Sequence, residues 1–257
     1  MIHSTALIDD TSQVHDSCEI GPYAVIGANV VIGAGTRVGP HAVIKGPTII
    51  GADCHIFQFA SVGEDPQDLK FDGEDSRLEI GDRNRIREFV TINRGTSGGG
   101  GLTRIGDDNL IMAYVHIAHD CLIGNNTIFA NSASLAGHVT VGDYAILGGF
   151  SLVHQFSRIG AHSFSGMGSV INKDVPPYIL VTGHYAEAKG INKQGLKRRG
   201  FSDGEIAALQ TTFKRLVKRK GVKSQDAYDE VARLADEFPR VADLVAFLKE
   251  GSRGTVG

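Results

Sequence analysis

An aliphatic residue returns every six positions through most of this 257-residue chain. The repeated positions run from Ile2 through Ile8, Val14, Ile20 and onward to Val62, then from Ile80 to Ile92, Ile105 to Ile123 and Phe129 to Ile159. The next residue is often Gly, and the fourth is usually small or β-branched. A period of six fits neither a helix nor a simple strand alternation. It predicts a parallel β-helix in which three hexapeptides form one triangular coil, with the aliphatics inside and glycines easing the corners.

Two segments interrupt this repeat. Residues 64–77 do not follow the repeat. Val62 and Ile80 are eighteen residues apart, the length of one coil, so we predict that the register is kept and that a loop protrudes between them. Residues 93–104 are rich in Gly and add seven residues between Ile92 and Ile105. Long loops on a rigid scaffold are usually functional. We predict a β-helix domain over residues 1–186 with ejected loops near 64–77 and 93–104.

The remaining residues, 187–257, are predicted to form a C-terminal helical domain. Two prolines in the segment Asp174-Val-Pro-Pro-Tyr178 are expected to stop strand addition. Ser202 and Glu205 have the spacing of a capping box, which starts a helix. The predicted helices run from about 203 to Lys218 with Gly221 as the stop, from Asp226 to Phe238 with Ser224 as the cap, and from Pro239 to about Glu250.

Composition narrows the function classes. A formal net charge of −3 excludes a globally basic nucleic-acid binder, and no apolar run is long enough to span a membrane. The start of the chain is acidic and already in the repeat, so we do not expect a signal peptide. The cysteines, Cys18, Cys54 and Cys121, share the small-residue slot of the repeat and are expected to be packed side chains in a reducing compartment. A cytoplasmic location is therefore predicted.

Basic residues concentrate at the start of the C-terminal region. From Lys189 to Lys223 the chain carries eleven Lys and Arg against only Asp203 and Glu205. Such a cluster is either a solvated face or a docking patch for an acidic partner or a phosphate.

Candidate chemistry begins with two histidines and an aspartate on neighbouring positions. His116, His119 and Asp120 lie within five residues. An imidazole that titrates near neutrality can remove a proton from a substrate hydroxyl, and an adjacent carboxylate can fix its tautomer. This segment is the first candidate for a catalytic base.

Coil stacking extends the candidate site. Eighteen residues after His119 comes Gly137, whose bare amide can approach and stabilise an oxyanion. The same step again reaches Gln155, and the neighbouring column contains His138. If coils stack in register, these residues form one polar patch.

Several segments together closely resemble the acyl-ACP:UDP-N-acetylglucosamine O-acyltransferase family of lipid A biosynthesis, where ACP is acyl carrier protein. They are 67–70, 76–88, 115–121, 135–139, 153–156 and 195–201. The resemblance covers nearly the full chain and implies a left-handed β-helix that forms a homotrimer with active sites between subunits. It also implies transfer of an (R)-3-hydroxyacyl chain from ACP to the sugar 3-hydroxyl, the first step of lipid A biosynthesis. No metal or redox cofactor is implied, because the donor arrives on the phosphopantetheine arm of ACP.

The resemblance also assigns roles to individual residues. His119 matches the general base, Asp120 its orienting partner, and Gly137 the amide that stabilises the oxyanion. The residues matched to the sugar, acyl and pyrophosphate groups are Asp68, Lys70, His116, His138 and Gln155, with His154 beside them; those matched to the nucleotide end are Asn192, Arg198 and Arg199. Two positions depart from the family pattern, since Gln194 stands where Glu is frequent and Asn93 where His is frequent.

The family places at Met167 the residue that closes the acyl groove. Met167 has the same hexapeptide phase as His119, and the separation corresponds to roughly 13 Å along the coil axis. If the lateral offset between faces is ignored, this distance accommodates roughly ten carbons. We therefore expect a 3-hydroxydecanoyl-like donor.

Four other protein classes remain open from the residues alone. A γ-class carbonic anhydrase also places histidines on a hexapeptide coil to hold Zn²⁺, although with a wider spacing than His116 and His119, and metal analysis distinguishes it. A CoA-dependent hexapeptide acetyltransferase would use acetyl-CoA. The N-acyltransferase of the same pathway would carry an extra N-terminal domain. A non-catalytic β-helical scaffold would not need the alignment of His119, Gly137 and His138.

Overall fold

The computed structural model describes residues 1–218, 225–250 and 254–257. Its strands form three sheets, which we call faces I, II and III of a triangular prism. Face I contains β1 (Leu7–Ile8), β4 (Val25–Ile26), β7 (Val43–Ile44), β10 (Ser61–Glu64), β13 (Thr91–Asn93), β16 (His116–Ile117), β19 (Ser134–Leu135), β22 (Leu152–Val153) and β25 (Val170–Ile171). Face II contains β2 (Gln13–Val14), β5 (Val30–Ile32), β8 (Thr48–Ile50), β11 (Arg77–Ile80), β14 (Leu102–Ile105), β17 (Leu122–Ile123), β20 (Thr140–Val141) and β23 (Arg158–Ile159). Face III contains β3 (Glu19–Ile20), β6 (Arg37–Val38), β9 (His55–Ile56), β12 (Arg85–Ile86), β15 (Leu110–Ile111), β18 (Ile128–Phe129), β21 (Ile146–Leu147), β24 (Phe164–Ser165), β26 (Ile179–Thr182) and β27 (Glu187–Ile191).

The strand register follows the sequence repeat. Strands that pair in parallel are mostly eighteen residues apart, as Leu7 with Val25 and Ile26 with Ile44. From Ile20 onward the aliphatic of each hexapeptide points into the prism and is buried, and so is the small residue two positions before it, such as Ala42; Ile2 on the first coil is exposed. A continuous apolar core therefore runs along the axis, which confirms the predicted parallel β-helix.

The corners of the coil are made differently from the prediction. Residues such as Tyr23, His41 and Asp120 have φ between 56° and 60°, so the left-handed conformation falls largely on non-glycine residues. The periodic glycines serve close approach instead. A Cβ on Gly33 would lie 2.7 Å from the carbonyl carbon of Gly51 one coil away, closer than real side chains come. Glycine is therefore needed there for packing between coils.

The two loops add different numbers of residues to the eighteen-residue coil. Ser61 pairs with Thr91, thirty residues on, and Thr91 pairs with His116, twenty-five residues on. The second loop therefore adds the predicted seven residues to a coil of eighteen. The first adds twelve, so Val62 lies on face I and Ile80 on face II. The predicted stacking of Val62 with Ile80 is wrong, because the equal spacing hid a full change of face.

Strand addition continues past the two prolines. β26 pairs in parallel with β24, and β27 then pairs antiparallel with β26. The prediction that strands stop at residues 174–178 is therefore wrong, because both strands begin after the prolines and need no amide from them.

The helices begin immediately after β27. They are α1 (Lys193–Arg198), α2 (Asp203–Thr212) continued by a π-helical turn (Phe213–Val217), α3 (Gln225–Glu237) and α4 (Pro239–Glu250); a short 3₁₀ turn (Ser97–Gly99) lies in the second loop. Ser202 and Glu205 form the predicted capping box at the start of α2. Gly221, Ser224 and the basic residues Arg219, Lys220 and Lys223 lie outside the described residues. Within the described ranges, no helix has the length and apolar character needed to cross a membrane.

Candidate active site

Most of the predicted site residues gather at the edge between faces I and II, here called the I/II edge. The first loop joins β10 to β11, the second joins β13 to β14, and the turn that holds His119 joins β16 to β17. The turns with Gly137 and Gln155 follow on the next two coils. The amide of His138 donates to the carbonyl of His119 (3.0 Å), so these coils stack in the predicted register.

His119 is bonded to a buried carboxylate. Its Nδ1 lies 2.7 Å from Oδ2 of Asp120, and the Asp120 side chain is only 1% exposed. Because a carboxylate only accepts, the Nδ1–H donates, and the unprotonated Nε2 is left as the basic nitrogen. The Asp120 carboxylate also accepts from the Thr96 amide at Oδ1 (2.8 Å) and from the Thr96 hydroxyl at Oδ2 (2.6 Å). The orientation of the imidazole is therefore fixed through Asp120.

Gly137 lies directly against the free side of this imidazole. A Cβ on Gly137 would lie 2.5 Å from Cε1 and 2.7 Å from Nε2 of His119. Only a glycine lets the backbone come this close. The Gly137 amide has no protein acceptor within residues 1–218, 225–250 and 254–257. A basic nitrogen and a free backbone donor are thus placed side by side.

Two more histidines surround this pair. His138 lies edge-on to His119, with ring centroids 5.1 Å apart, and stacks on Phe156. Nδ1 of His116 lies 2.7 Å from the Thr91 hydroxyl. Burial lowers the pKa of both His116 and His138, and the neighbouring His119 lowers each further. Both rings therefore favour the neutral form, which can donate or accept a hydrogen bond to a polar ligand.

The remaining predicted residues at this edge are more exposed. Asp68 and Lys70 are in the first loop, where the Lys70 amide donates to Oδ1 of Asp68 (3.0 Å). Asp68 is near enough to His138 to favour its charged form. His154 and Gln155 are exposed on the turn between β22 and β23. Both lie on the surface that a ligand covering this edge would contact.

The residues predicted to bind the nucleotide lie at a different edge of the coil from His119. Asn192 caps α1, where its side chain accepts from the Gly195 amide and donates to the carbonyl of His162 (3.0 Å). The Arg199 guanidinium lies 4.1 Å from the centre of the Tyr144 ring. Tyr144 and His162 are on turns between faces II and III, the II/III edge. One chain therefore does not bring these residues to His119.

Arg198 and the departing residue Gln194 are exposed on the same helix, α1. Met167 occupies the third edge, III/I, between β24 and β25, and is 83% exposed. Face I thus separates Met167 from His119 within one chain. Asn93 is buried at the end of β13, where the second loop begins, and its side chain donates to the carbonyl of Asp65 in the first loop (2.8 Å).

Sequence reasoning missed the residues that hold the two loops. Thr96 binds Asp120, and Glu74 accepts from the amide and hydroxyl of Ser97 (both 3.1 Å). Neither residue follows a repeat, because both are in the ejected loops. The two insertions were visible in the sequence, but the predicted stacking of Val62 with Ile80 placed their loops on different edges. The pairing of Val62 with Ile92 brings both loops to the I/II edge, and no signal in the sequence indicated that they meet.

His119, Asp120 and His138 also form a possible metal-binding group. Their ligand atoms all lie within 4.8 Å of one another. Both oxygens of the Asp120 carboxylate already accept hydrogen bonds, and Oδ2 accepts from Thr96 and His119 together. The prediction of no metal cofactor stays a prediction, which metal analysis can test.

The coil and its edge site define a transferase of the hexapeptide-repeat class. The family described as bacterial transferase hexapeptide (six repeats) matches residues 1–34 and 102–137. The family described as Udp N-acetylglucosamine O-acyltransferase, domain 2, matches residues 174–256. Both matches agree with the two structural parts, β-helix and C-terminal region.

Full-length relatives identify the family. The chain is 48% identical to the acyl-[acyl-carrier-protein]–UDP-N-acetylglucosamine O-acyltransferase of Herminiimonas arsenicoxydans, over 100% of this chain and 99% of that protein. It is 51% identical to the enzyme of the same name from Stutzerimonas stutzeri (strain A1501), over 99% and 98% of the two chains. A solved UDP-N-acetylglucosamine O-acyltransferase from Moraxella catarrhalis matches with a TM-score of 0.95 and 46% identity, over 100% and 99% of the chains.

The chain belongs to the family of acyl-[acyl-carrier-protein]–UDP-N-acetylglucosamine O-acyltransferases. It is an acyltransferase, and its coil is a left-handed parallel β-helix like those of its solved relatives. Family membership sets aside the carbonic anhydrase, CoA-dependent acetyltransferase, N-acyltransferase and scaffold alternatives.

Proposed function

We propose that this enzyme transfers an (R)-3-hydroxyacyl chain from ACP to the 3-hydroxyl of UDP-N-acetylglucosamine, the first step of lipid A biosynthesis. The substrates are those in the names of its full-length relatives. The observation that carries the mechanism is the contact of His119 Nε2 with the Gly137 backbone, while Nδ1 is bonded to Asp120. We also place the enzyme in the cytoplasm and assign it no metal or redox cofactor.

The chemistry begins with the sugar hydroxyl. His119 Nε2 takes the proton of the 3-hydroxyl as its oxygen attacks the thioester carbonyl carbon, and the new C–O bond forms. The carbonyl oxygen becomes negatively charged and accepts a hydrogen bond from the Gly137 amide, which has no other partner in the described part of the chain. The C–S bond then breaks, and the protonated His119 returns its proton to the phosphopantetheine thiolate. Asp120 stabilises the imidazolium between these two steps.

Substrate groups are assigned to the surrounding residues by position. The neutral His116 and His138 flank the base and offer hydrogen bonds to the sugar and the acyl chain. Lys70 in the first loop offers a cation to the pyrophosphate, and the exposed His154 and Gln155 close the same edge from the following coils.

We propose a homotrimer because the nucleotide residues and the catalytic base lie on different edges of one chain. Face III presents a column of outward apolar residues in strand register, each half-buried in the isolated chain, formed by Leu110, Ile128, Ile146 and Phe164. The III/I edge carries a ladder of stacked rings, formed by Tyr23, His41, Phe59, Phe89 and Tyr114. Apolar surface of this extent favours burial against another copy.

A threefold arrangement brings the separated groups together. If face I of one subunit packs against face III of the next, the III/I edges with their aromatic ladders meet around the axis. The I/II edge with His119 then faces the II/III edge of the neighbour, which carries Asn192, Arg198 and Arg199. Met167, on the III/I edge, lies toward the inner end of the same cleft, where an acyl chain inserted between the subunits would stop.

The decisive experiment replaces the base. His119→Ala should lower turnover by about a hundredfold or more while the fold is retained. Asp120→Asn should cost less, because it removes orientation and charge but leaves the base. His15→Ala, an exposed histidine on the first coil, is the matched control. The 3-O-acyl product is measured by mass spectrometry, and near-normal turnover of a folded His119→Ala would remove His119 from the mechanism.

Metal analysis of the active enzyme tests the cofactor assignment. The group of His119, Asp120 and His138 is the place where a metal would bind. We expect no stoichiometric metal and no loss of activity with a chelator. Stoichiometric zinc that leaves together with activity would contradict the assignment.

A further inference from the structure

The two ejected loops are tied to each other at two places. At the base, the Arg94 guanidinium donates to the carbonyl of Gly63 (2.7 Å) and pairs with Asp65. Farther out, the Glu74 carboxylate of the first loop accepts from the amide and the hydroxyl of Ser97 in the second loop (both 3.1 Å). The loops therefore form one clamped unit.

The second loop also holds the catalytic carboxylate. The Thr96 amide and hydroxyl occupy both oxygens of Asp120, at 2.8 and 2.6 Å. Gly99 lies so close above this carboxylate that a Cβ there would be 2.0 Å from Asp120 Cγ. Thr96 and Asp120 are both buried. The second loop thus covers Asp120 and sets the direction in which Oδ2 meets His119.

We propose that Thr96 is a positioning residue for the His119–Asp120 pair, and that Glu74 couples it to the substrate loop carrying Asp68 and Lys70. This inference rests on the catalytic role proposed for His119. Thr96 touches neither substrate nor the reacting atoms and acts only through Asp120. Glu74 links the loop that binds substrate to the loop that orients the base, so both halves of the site are held by one hydrogen-bond network.

Glu74 is suited to this link because its carboxylate is ionised at neutral pH. Hydrogen bonds from the amides of Asp72 and Ser97 lower its pKa to about 2. The side chain is therefore an anionic acceptor at neutral pH. Ser97 follows Thr96 directly, so a bond to one residue restrains the other.

The first test is Thr96→Val, which removes the hydroxyl and keeps the side-chain shape and the backbone amide. The lost bond is to a carboxylate, so kcat should fall roughly tenfold or more, with both KM values changed by less than about twofold. Thr96→Ser should restore most of the turnover. In a His119→Ala background, Thr96→Val should have no further effect, because the residue through which it acts is gone.

Thr127→Val is the matched structural control. Thr127 is also buried, and its amide and hydroxyl bind the Asn109 side chain at 2.7 and 2.6 Å, at the II/III edge. Thr127→Val should lower the melting temperature about as much as Thr96→Val does and should leave kcat unchanged. A loss of kcat equal to that of Thr96→Val would show that a buried threonine bond acts through general stability.

The second test uses two separate variants at the contact between the loops, Glu74→Gln and Ser97→Ala. Either change should lower kcat and raise the KM for UDP-N-acetylglucosamine, since Lys70 and Asp120 lose a shared restraint. Combined with Thr96→Val, the effect of Glu74→Gln on kcat should be less than multiplicative. Full multiplicativity would overturn the coupling.

The positioning role of Thr96 and the catalytic role of His119 are tested by different variants. If Thr96→Val keeps kcat within about twofold of wild type while His119→Ala is inactive, the positioning role is wrong and the base assignment stands. If His119→Ala itself is active, the proposed function fails. If Thr96→Val does not fold, Thr96→Ser, Ser97→Ala and Glu74→Gln still decide the question through the split between kcat and KM.

Discussion

Gly137→Ala tests the contact on which the mechanism depends. The added Cβ would lie 2.5 Å from His119 Cε1, whereas ordinary contact begins at 3.4 Å, so the ring must move by 0.9 Å or more. Gly137 does not have the left-handed φ that penalises alanine, so the backbone tolerates the change. The clash therefore falls on the catalytic imidazole.

The imidazole cannot withdraw freely. Its Nδ1 is bonded to Asp120 at 2.7 Å, and Asp120 is held by Thr96. A displacement of 0.9 Å thus stretches that bond beyond hydrogen-bond length or turns Nε2 away from the hydroxyl. Misplacement of a reacting group by about 1 Å costs about a hundredfold in rate, equivalent to about 2.7 kcal/mol of barrier. We expect kcat to fall by that factor while the melting temperature changes by only a few degrees.

The assay follows release of the phosphopantetheine thiol from acyl-ACP at saturating UDP-N-acetylglucosamine. Gly27→Ala, at the same edge, is the control, because its Cβ would meet the nearest atom at 3.4 Å. It should leave turnover unchanged. A folded Gly137→Ala enzyme with kcat within about threefold of wild type would refute the close coupling of Gly137 and His119.

Three further outcomes are expected. Changing Lys214, Arg215 and Lys218, all exposed, to Glu should raise the KM for acidic acyl-ACP much more than that for the sugar nucleotide, and added salt should shrink the difference; equal effects on both substrates would argue against a docking patch. Wild-type enzyme should prefer a 3-hydroxydecanoyl donor of roughly ten carbons, and Met167→Gly should shift the preference toward longer chains in a mixed-donor assay, so a wild-type preference for 3-hydroxymyristoyl would contradict the role of Met167. Burial lowers the pKa of His162 to about 4, so below pH 6.5 the unfolded chain takes up a proton that the folded chain does not. The free energy of unfolding is therefore highest above pH 6.5 and falls by up to about 3 kcal/mol as the pH drops from 6.5 to 4. His162→Phe should flatten this part of the curve of unfolding free energy against pH, and an unchanged slope would show that another group carries it.

The sequence by itself determined the coil and which candidate site residues stack on one another. In a solenoid each coil contacts only its neighbours, so a period of six and a step of eighteen specify both the core and the register. The same step places Gly137 beside His119 and His138 beside Asp120. The capping box of α2 was readable because Ser202 and Glu205 interact locally.

The tertiary structure decided which edge each group occupies. Face assignment depends on the number of inserted residues, and the equal spacing of Val62 and Ile80 concealed an insertion of twelve. Met167 has the hexapeptide phase of His119, but all three corners share that phase, so the phase alone does not show that Met167 lies on the III/I edge. Arg199 lies outside the repeat, and its contact with Tyr144 at the II/III edge depends on where the chain returns after β27. The support of Asp120 by Thr96 was equally hidden, since a contact between an aperiodic loop and a coil depends on where the chain returns in space.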